Sequence, residues 1–180
     1  MARPHALVVG GTGMLRGVSL SLAGRNAVSV VARGRKGLER LRKGSRNVHP
    51  LSVDYTDGAA LEAALDEAVA ARGPFTLAVA WIHSTAPDAP LAVARRVRGR
   101  FFHVLGSAAA DPSLPDPGRR TAFEALEGVA YREILLGFVR RGARSRWLSN
   151  GEIEKGVLGA IATDRPRAVV GVVEPWSARP

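Results

Sequence analysis

The 180 residues of this chain, 46% hydrophobic and 23% charged, are enough for one domain with a full core, and we expect a single domain over residues 1–180. No window comes near the roughly 18 uninterrupted apolar residues of a membrane span, and the lack of cysteine excludes disulfides and thiol chemistry. Glycines interrupt the apolar run near the N-terminus, which disfavours a signal peptide, so we expect a cytoplasmic protein.

The basic balance, a net charge of +10 and a pI near 11.4, favours anionic partners. No acidic residue precedes Glu39, and four arginines lie in a second acid-free run between Asp88 and Asp111. This second run fits a solvated surface equally well. Nucleic acid is disfavoured as a partner, because neither run carries interleaved aromatic residues or a recognition motif.

Apolar runs alternate with helical patterns along nearly the whole chain. We predict strands at 6–10, 27–32, 48–53, 75–82, 101–106, 131–139 and 168–173. Six helices are predicted between these strands. Gly24 ends the first, Leu38 and Leu41 lie in the second, and Asp57 and Gly73 stand at the two ends of the third. The fourth and fifth are predicted at 91–97 and 121–128, and a capping box of Ser149 and Glu152 begins the sixth.

This alternation of strands and helices predicts an α/β fold. We expect a Rossmann-like, doubly wound and mainly parallel seven-stranded sheet with helices on both faces. The segment 111–120 contains three prolines and is predicted to be a loop.

The stretch "VVGGTGMLRG" joins the first predicted strand to the first helix. Ligands of such sheets lie beyond the carboxyl ends of the strands, and the first turn is the usual phosphate site. Glycine lets backbone N–H groups approach an anion, and the helix N-terminus adds partial positive charge. We therefore predict nucleotide binding, against the alternative of a tight turn without a ligand, with five contact residues: Gly10, Gly11, Thr12, Gly13 and Met14.

The end of the second strand indicates which nucleotide is bound. NAD-specific folds carry a carboxylate there for the ribose 2′-hydroxyl, but this chain has Arg33, Arg35 and Lys36 instead. Because a guanidinium forms charge-assisted, bidentate bonds with phosphate, NADP(H) is favoured over NAD(H). Arg33 directly follows the strand and is the stronger candidate, whereas Arg35 also fits an exposed helix start.

Several motifs, in this order and spacing, resemble the short-chain dehydrogenase/reductase superfamily over nearly the whole chain. They are "VVGGTG" (8–13), "VARGRK" (31–36), "VDYTD" (53–57), "HVLGSAA" (103–109) and the closing "SNGEIEKGVLGAI" (149–161). The resemblance implies that Asp54 contacts the adenine, with Tyr55 beside it in the cofactor site. It also implies that Ser107 is the catalytic serine. Arg16 stands where a packing glycine is usual, so either the first helix lies farther from the sheet or Arg16 reaches a phosphate.

The catalytic pattern of that superfamily is incomplete here. The resemblance implies a tyrosine as general acid/base and a lysine four residues later that lowers its pKa. Tyr131 follows Ser107 by 24 positions and is the candidate, but position 135 is leucine. If 131–139 is a strand, Tyr131 does not lie on the helix that usually carries this pair, and its spacing to Ser107 is a coincidence.

The segment "WIHSTAP" (81–87) supplies a substitute at the carboxyl end of the fourth strand. His83 is a candidate proton donor, since an imidazole titrates near neutral pH, with a structural role as the alternative. Ser107, one strand away, is expected to orient a carbonyl group. His103, inside the fifth strand, is interpreted as a core residue, and no histidine has partners at metal-ligand spacing.

Two functions are compatible with these residues. The first is an NADP(H)-dependent oxidoreductase that reduces a small carbonyl compound with a non-standard active site. The second is a non-catalytic NADP(H)-binding sensor or regulatory protein on the same fold. A small-molecule substrate is the expected partner, and a homo-oligomer remains open.

Overall fold

The computed structural model describes residues 3–113 and 116–180. Its strands are β1 (His5–Val9), β2 (Ala27–Ala32), β3 (Val48–Ser52), β4 (Phe75–Trp81), β5 (Val97–Leu105), β6 (Val129–Leu136), β7 (Phe138–Arg141), β8 (Arg144–Trp147) and β9 (Arg167–Val170). Its helices are α1 (Arg16–Ala23), α2 (Arg35–Gly44), α3 (Gly58–Arg72), α4 (Ala89–Ala94), α5 (Gly118–Glu124) and α6 (Asn150–Thr163), with short 3₁₀ turns at Ser107–Ala110 and Trp176–Ala178.

Seven strands form one parallel sheet in the order β3-β2-β1-β4-β5-β6-β9, which confirms the predicted doubly wound fold. The chain runs outward from β1 to β3 and then returns to β4 on the other side of β1. The loops after β1 and β4 therefore diverge and leave a crevice at the carboxyl ends of the strands.

Helices cover both faces of the sheet. Ala6 and Val8 of β1 face the layer formed by α1, α2 and α6, whereas Leu7 and Val9 face the layer formed by α3, α4 and α5. All four side chains are buried, which explains why the strand is apolar without polar alternation. Among the described residues, no helix is both long and apolar enough to cross a membrane.

Two predicted helix caps are confirmed. The Asp57 carboxylate accepts a hydrogen bond from the Ala60 N–H at 3.0 Å and begins α3. At α6, the Ser149 hydroxyl accepts from the Glu152 N–H at 3.3 Å, and the Glu152 carboxylate accepts from the Ser149 N–H at 2.8 Å. This reciprocal capping box satisfies backbone donors that the helix itself leaves unpaired.

The predicted strand 131–139 is wrong as one element. It divides at Gly137, since β6 pairs with β9 in the main sheet whereas β7 leaves that sheet and pairs with β8. At Gly137 the chain passes so close to the Val172 carbonyl that a Cβ atom would meet it. The strands β7 and β8, which are rich in arginine, form a two-stranded hairpin that was not predicted.

Several further boundaries differ from prediction. The helix predicted at 91–97 ends at Ala94, and β5 begins at Val97, since pairing with β4 extends the strand through a locally basic segment. Helix α5 begins at Gly118, inside the loop predicted at 111–120, of which residues 114 and 115 lie outside the described residues. The last strand ends at Val170.

Candidate functional site

The three glycines of the first turn serve different purposes. Gly10 leaves β1 with φ of +77°, a conformation that suits glycine, and its N–H donates to the Val31 carbonyl at 3.0 Å. A Cβ atom on Gly11 would lie 2.5 Å from Ser19 Oγ and 2.7 Å from Val30 Cγ1, so Gly11 is required by packing. Apart from chain neighbours, no described atom lies within 4 Å of a Cβ built on Gly13, which faces open space.

Backbone N–H groups in this turn are available to a ligand. Within the described residues, the N–H groups of Thr12, Met14 and Leu15 have no hydrogen-bond acceptor, whereas that of Arg16 donates to the Gly13 carbonyl at 3.0 Å. Unpaired N–H groups before a helix form a concave site for anions. The turn therefore has the donors that a pyrophosphate needs.

Helix α1 packs against α6 through Gly17. The Gly17 N–H donates to Glu154 Oε1 at 2.6 Å, and a Cβ atom on Gly17 would meet this carboxylate. Glu154 is a contact that the sequence analysis missed, because it joins residues 137 positions apart. The Arg16 side chain points outward and is exposed.

The first cavity, of about 570 Å³, lies at the carboxyl ends of β1, β2 and β4. It brings together seven of the predicted site residues on one surface, and Trp81 forms a further part of the wall. Those seven are Gly10, Thr12, Gly13, Met14, Arg33, Tyr55 and His83.

Arg33 and Asp54 form an ion pair at the rim of this cavity. The two charged groups are 3.6 Å apart, and their side chains are 77% and 39% exposed. Hydrogen bonds from Thr56, with a smaller effect of Arg33, lower the pKa of Asp54, so its carboxylate is ionised at neutral pH. An exposed pair of this kind contributes little to stability, which leaves Arg33 able to exchange its partner for a phosphate. Arg35, the first residue of α2, is exposed and is not among the described residues that line this cavity.

The second cavity, of about 430 Å³, lies at the carboxyl ends of β4 and β5 and shares Trp81 and His83 with the first. The backbone N–H of His83 donates to Tyr55 Oη at 3.4 Å. The His83 and Trp81 rings meet edge to face, with centroids 5.5 Å apart. These two residues therefore form a wall between the two cavities.

Ser107 begins the 3₁₀ turn that follows β5. Its neighbours Gly106 and Ala108 line the second cavity, but Ser107 is not among the described lining residues. The serine is thus adjacent to the wall rather than part of it.

Tyr131 lies inside β6, and the structure does not bring it together with His83 and Ser107. Its partner in the sheet register is Phe101, whereas Ser107 lies beyond the end of β5. The side chain is 2% exposed and stacks on Phe123 with ring centroids 4.4 Å apart. Burial and the nearby Glu133 carboxylate raise the pKa of Tyr131 above that of a free tyrosine.

His103 is buried, as expected, but it also lines the second cavity. Burial, with a smaller effect of the positive charge of Arg119, lowers the pKa of His103 from 6.5 to about 4. The imidazole is therefore neutral at pH 7. The sequence contained a signal that His103 is more than a core residue. His103, Tyr131 and Glu133 are polar residues at inward positions of buried strands.

Comparison with solved structures establishes the fold. A short-chain dehydrogenase/reductase from Serratia marcescens matches with a TM-score of 0.69 and 16% identity, over 94% of this chain and 97% of that one. A metagenomic short-chain oxidoreductase in complex with NADP matches with a TM-score of 0.66 and 16% identity, over 96% and 97%. A 3-oxoacyl-[acyl-carrier protein] reductase from Brucella melitensis gives 0.66 and 14%, over 94% and 95%.

The chain therefore has the fold of short-chain dehydrogenases and reductases. No family model matches the sequence, and no curated protein is significantly similar to it. The first cavity fits a dinucleotide by its own chemistry: it combines open space above Gly13, N–H donors at Thr12 and Met14, and a guanidinium at its rim.

Proposed function

We propose that this protein is an NADP(H)-dependent oxidoreductase that reduces a small carbonyl compound. The observation that carries the proposal is the shared wall of Trp81 and His83, which separates a cavity suited to a dinucleotide from a second, mostly apolar cavity. A cofactor held in the first cavity and a substrate held in the second would meet at this wall. NADPH, when bound, supplies the hydride.

Residues of the first cavity have the chemistry to hold the cofactor. Thr12 and Met14 offer backbone N–H groups to the pyrophosphate, and Arg33 offers a guanidinium to the 2′-phosphate. Tyr55 lies on the side that the family resemblance gives to adenine, and Asp54 stands beside it. The NADP bound to the metagenomic oxidoreductase supports the same cofactor here.

The second cavity would orient the carbonyl group. His83 stands at the shared wall, where its imidazole can donate a proton to the carbonyl oxygen. The Ser107 hydroxyl follows the end of β5 and can donate a hydrogen bond to the same oxygen after a small movement of its turn.

A turnover experiment tests the proposal. We expect the protein to oxidise NADPH in the presence of some members of a panel of small aldehydes and ketones, followed as loss of nicotinamide absorbance. His83→Ala is expected to lower the rate by about 100-fold or more, since positioned general acids contribute factors of this size. His49→Ala, at a residue that lines neither cavity, is the matched control and should retain the rate.

Three outcomes would count against parts of this account. Turnover that survives both His83→Ala and Ser107→Ala would exclude these residues from catalysis. NADPH binding without turnover on the whole panel would favour a non-catalytic sensor. Failure to bind NADPH would remove both functions.

A further inference from the structure

Behind the second cavity, three polar side chains and an arginine form a continuous contact within an otherwise apolar layer. His103 Nδ1 lies 3.1 Å from Tyr131 Oη, which in turn lies 3.5 Å from Glu133 Oε1. Arg119 Nε donates to the same carboxylate oxygen at 3.3 Å. We call His103, Tyr131, Glu133 and Arg119 the buried polar chain.

Burial of the Glu133 carboxylate gives the buried polar chain its unfavourable desolvation free energy. Glu133 is only 3% exposed, and the second positive group that compensates its charge is Arg120, at 3.5 Å. Removing charged groups from water commonly costs as much as their mutual attraction returns, so apolar residues of similar volume would serve the core at least as well. Stability alone therefore gives no reason for these four residues.

The buried polar chain reaches the second cavity at two residues, His103 and Arg119, and His103 Nε2 is the ring nitrogen that faces it. This nitrogen has no hydrogen bond within the described residues. Because no fully buried polar side-chain atom of those residues lacks a partner, Nε2 is not fully buried. Since His103 lines the second cavity, Nε2 is accessible from it.

The hydrogen-bond order in the buried polar chain sets the tautomer of His103. The Glu133 carboxylate is paired with Arg119 and Arg120 and accepts the single hydroxyl hydrogen of Tyr131. The oxygen of Tyr131 is then left to accept from His103, which places the ring hydrogen on Nδ1 and a lone pair on Nε2. A neutral imidazole oriented in this way presents a hydrogen-bond acceptor to the cavity.

Apolar side chains form much of the second cavity, including Ile82, Ala86, Pro87, Pro90 and Leu105. Apart from His103, its polar side chains are His83, Ser84, Asp116 and Arg119, and the last two form an ion pair with each other at 3.7 Å. A largely buried acceptor without a partner selects a ligand that carries a donor, because a ligand without one would leave the acceptor unpaired. We propose that His103 Nε2 anchors the hydroxyl group of a small apolar alcohol in the second cavity, with Tyr131 and Glu133 as its positioning residues. This inference rests on the proposed function, in which the alcohol is the reduced form of the carbonyl substrate.

The test is a pair of NMR measurements on the ¹⁵N-histidine-labelled protein at pH 7, without cofactor. Two-bond ¹H–¹⁵N correlations report the tautomer of each of the four histidines, and His103 is assigned by loss of its signal in His103→Gln. If that variant does not fold, His5→Gln, His49→Ala and His83→Ala assign the other three signals, and the remaining signal is that of His103. Benzyl alcohol and toluene, which differ by one hydroxyl group, are then titrated separately.

We expect His103 to carry its hydrogen on Nδ1, and its Nε2 signal to shift saturably with benzyl alcohol but not with toluene. Tyr131→Phe keeps the ring stacking but should mix the tautomers and weaken benzyl alcohol binding about fivefold to tenfold, the effect of one hydrogen bond. His49→Ala should change neither result.

A hydrogen on Nε2 in the wild type, equal responses to the two probes, or binding that Tyr131→Phe leaves unchanged would each overturn the inference. These readouts need no nucleotide. Failure to bind NADPH would therefore refute the proposed function without affecting this test. Failure of the NMR test would likewise leave the proposed function unaffected.

Discussion

At the scale of single residues, His103 differs from an ordinary core histidine in its surroundings. One ring nitrogen contacts the Tyr131 hydroxyl, backed by a buried carboxylate, and the ring forms part of a cavity wall. Phe101 stacks on the imidazole with ring centroids 5.7 Å apart, and Phe123 meets it edge to face. These contacts bury most of the ring and oppose its protonation.

This environment makes the stability of the protein sensitive to acid. The pKa of His103 is about 4 in the folded protein but 6.5 as the ordinary value, so the unfolded chain binds the proton first as the pH falls. The free energy of unfolding should therefore decrease between pH 6.5 and pH 4, and His103 should account for about 3 kcal/mol of that decrease. Burial lowers the pKa of His5 as well, which adds a loss of the same sign.

Urea unfolding of the wild type and His103→Gln at pH 7 and pH 4 measures the contribution of His103. The decrease should be about 3 kcal/mol smaller in the variant. Equal decreases in the two proteins would show that His103 does not resist protonation in the folded state.

At the scale of elements, two glycines of the turn between β1 and α1 have different roles: Gly11 packs against the core, and Gly13 faces the first cavity. Gly11→Ala forces a methyl group against Ser19 and Val30 and should destabilise the protein by about 1–3 kcal/mol, as overpacked cores usually do. Gly13→Ala meets open space and should leave the free energy of unfolding nearly unchanged, while its methyl group enters the first cavity and weakens NADPH binding.

Chemical denaturation and NADPH titration of both variants check this distinction, and each variant is the control for the other. Equal stability losses, or an unchanged NADPH affinity in Gly13→Ala, would contradict the assignment of roles within the turn.

Elements whose signals are local were predictable from the sequence. The caps at Asp57 and Ser149 and the alternation of buried strands with helices each depend on neighbours within a few residues. The hairpin of β7 and β8 was not predictable in the same way, because arginine on both strands conceals the apolar pattern and Gly137 is needed only for a distant contact with Val172. The contacts of Gly17 with Glu154 and of His103 with Tyr131 likewise join distant segments.

At the scale of the whole molecule, parallel strand order explains why so many predicted residues lie together. The carboxyl ends of β1, β2 and β4 meet at one edge of the sheet, so Gly10, Arg33 and His83 line one cavity although they are far apart in sequence. Side-chain direction and depth along a strand were harder to predict, since Tyr131 lies well inside β6 and Ser107 lies beside the cavity rather than in it.

The central claim is that the first cavity binds a dinucleotide that carries a 2′-phosphate. Isothermal titration calorimetry with NADPH and NADH, on the wild type and Arg33→Ala, tests it most directly. Arg25→Ala removes an exposed arginine that does not line the first cavity and is the matched control for charge.

We expect saturable binding of both nucleotides, with NADPH preferred by about tenfold or more, because a charge-assisted hydrogen bond contributes roughly 1.5–3 kcal/mol. Arg33→Ala should remove most of this preference with little effect on NADH, and Arg25→Ala should retain it. An absence of binding at millimolar NADPH, or a preference for NADH that Arg33→Ala leaves unchanged, would contradict the account.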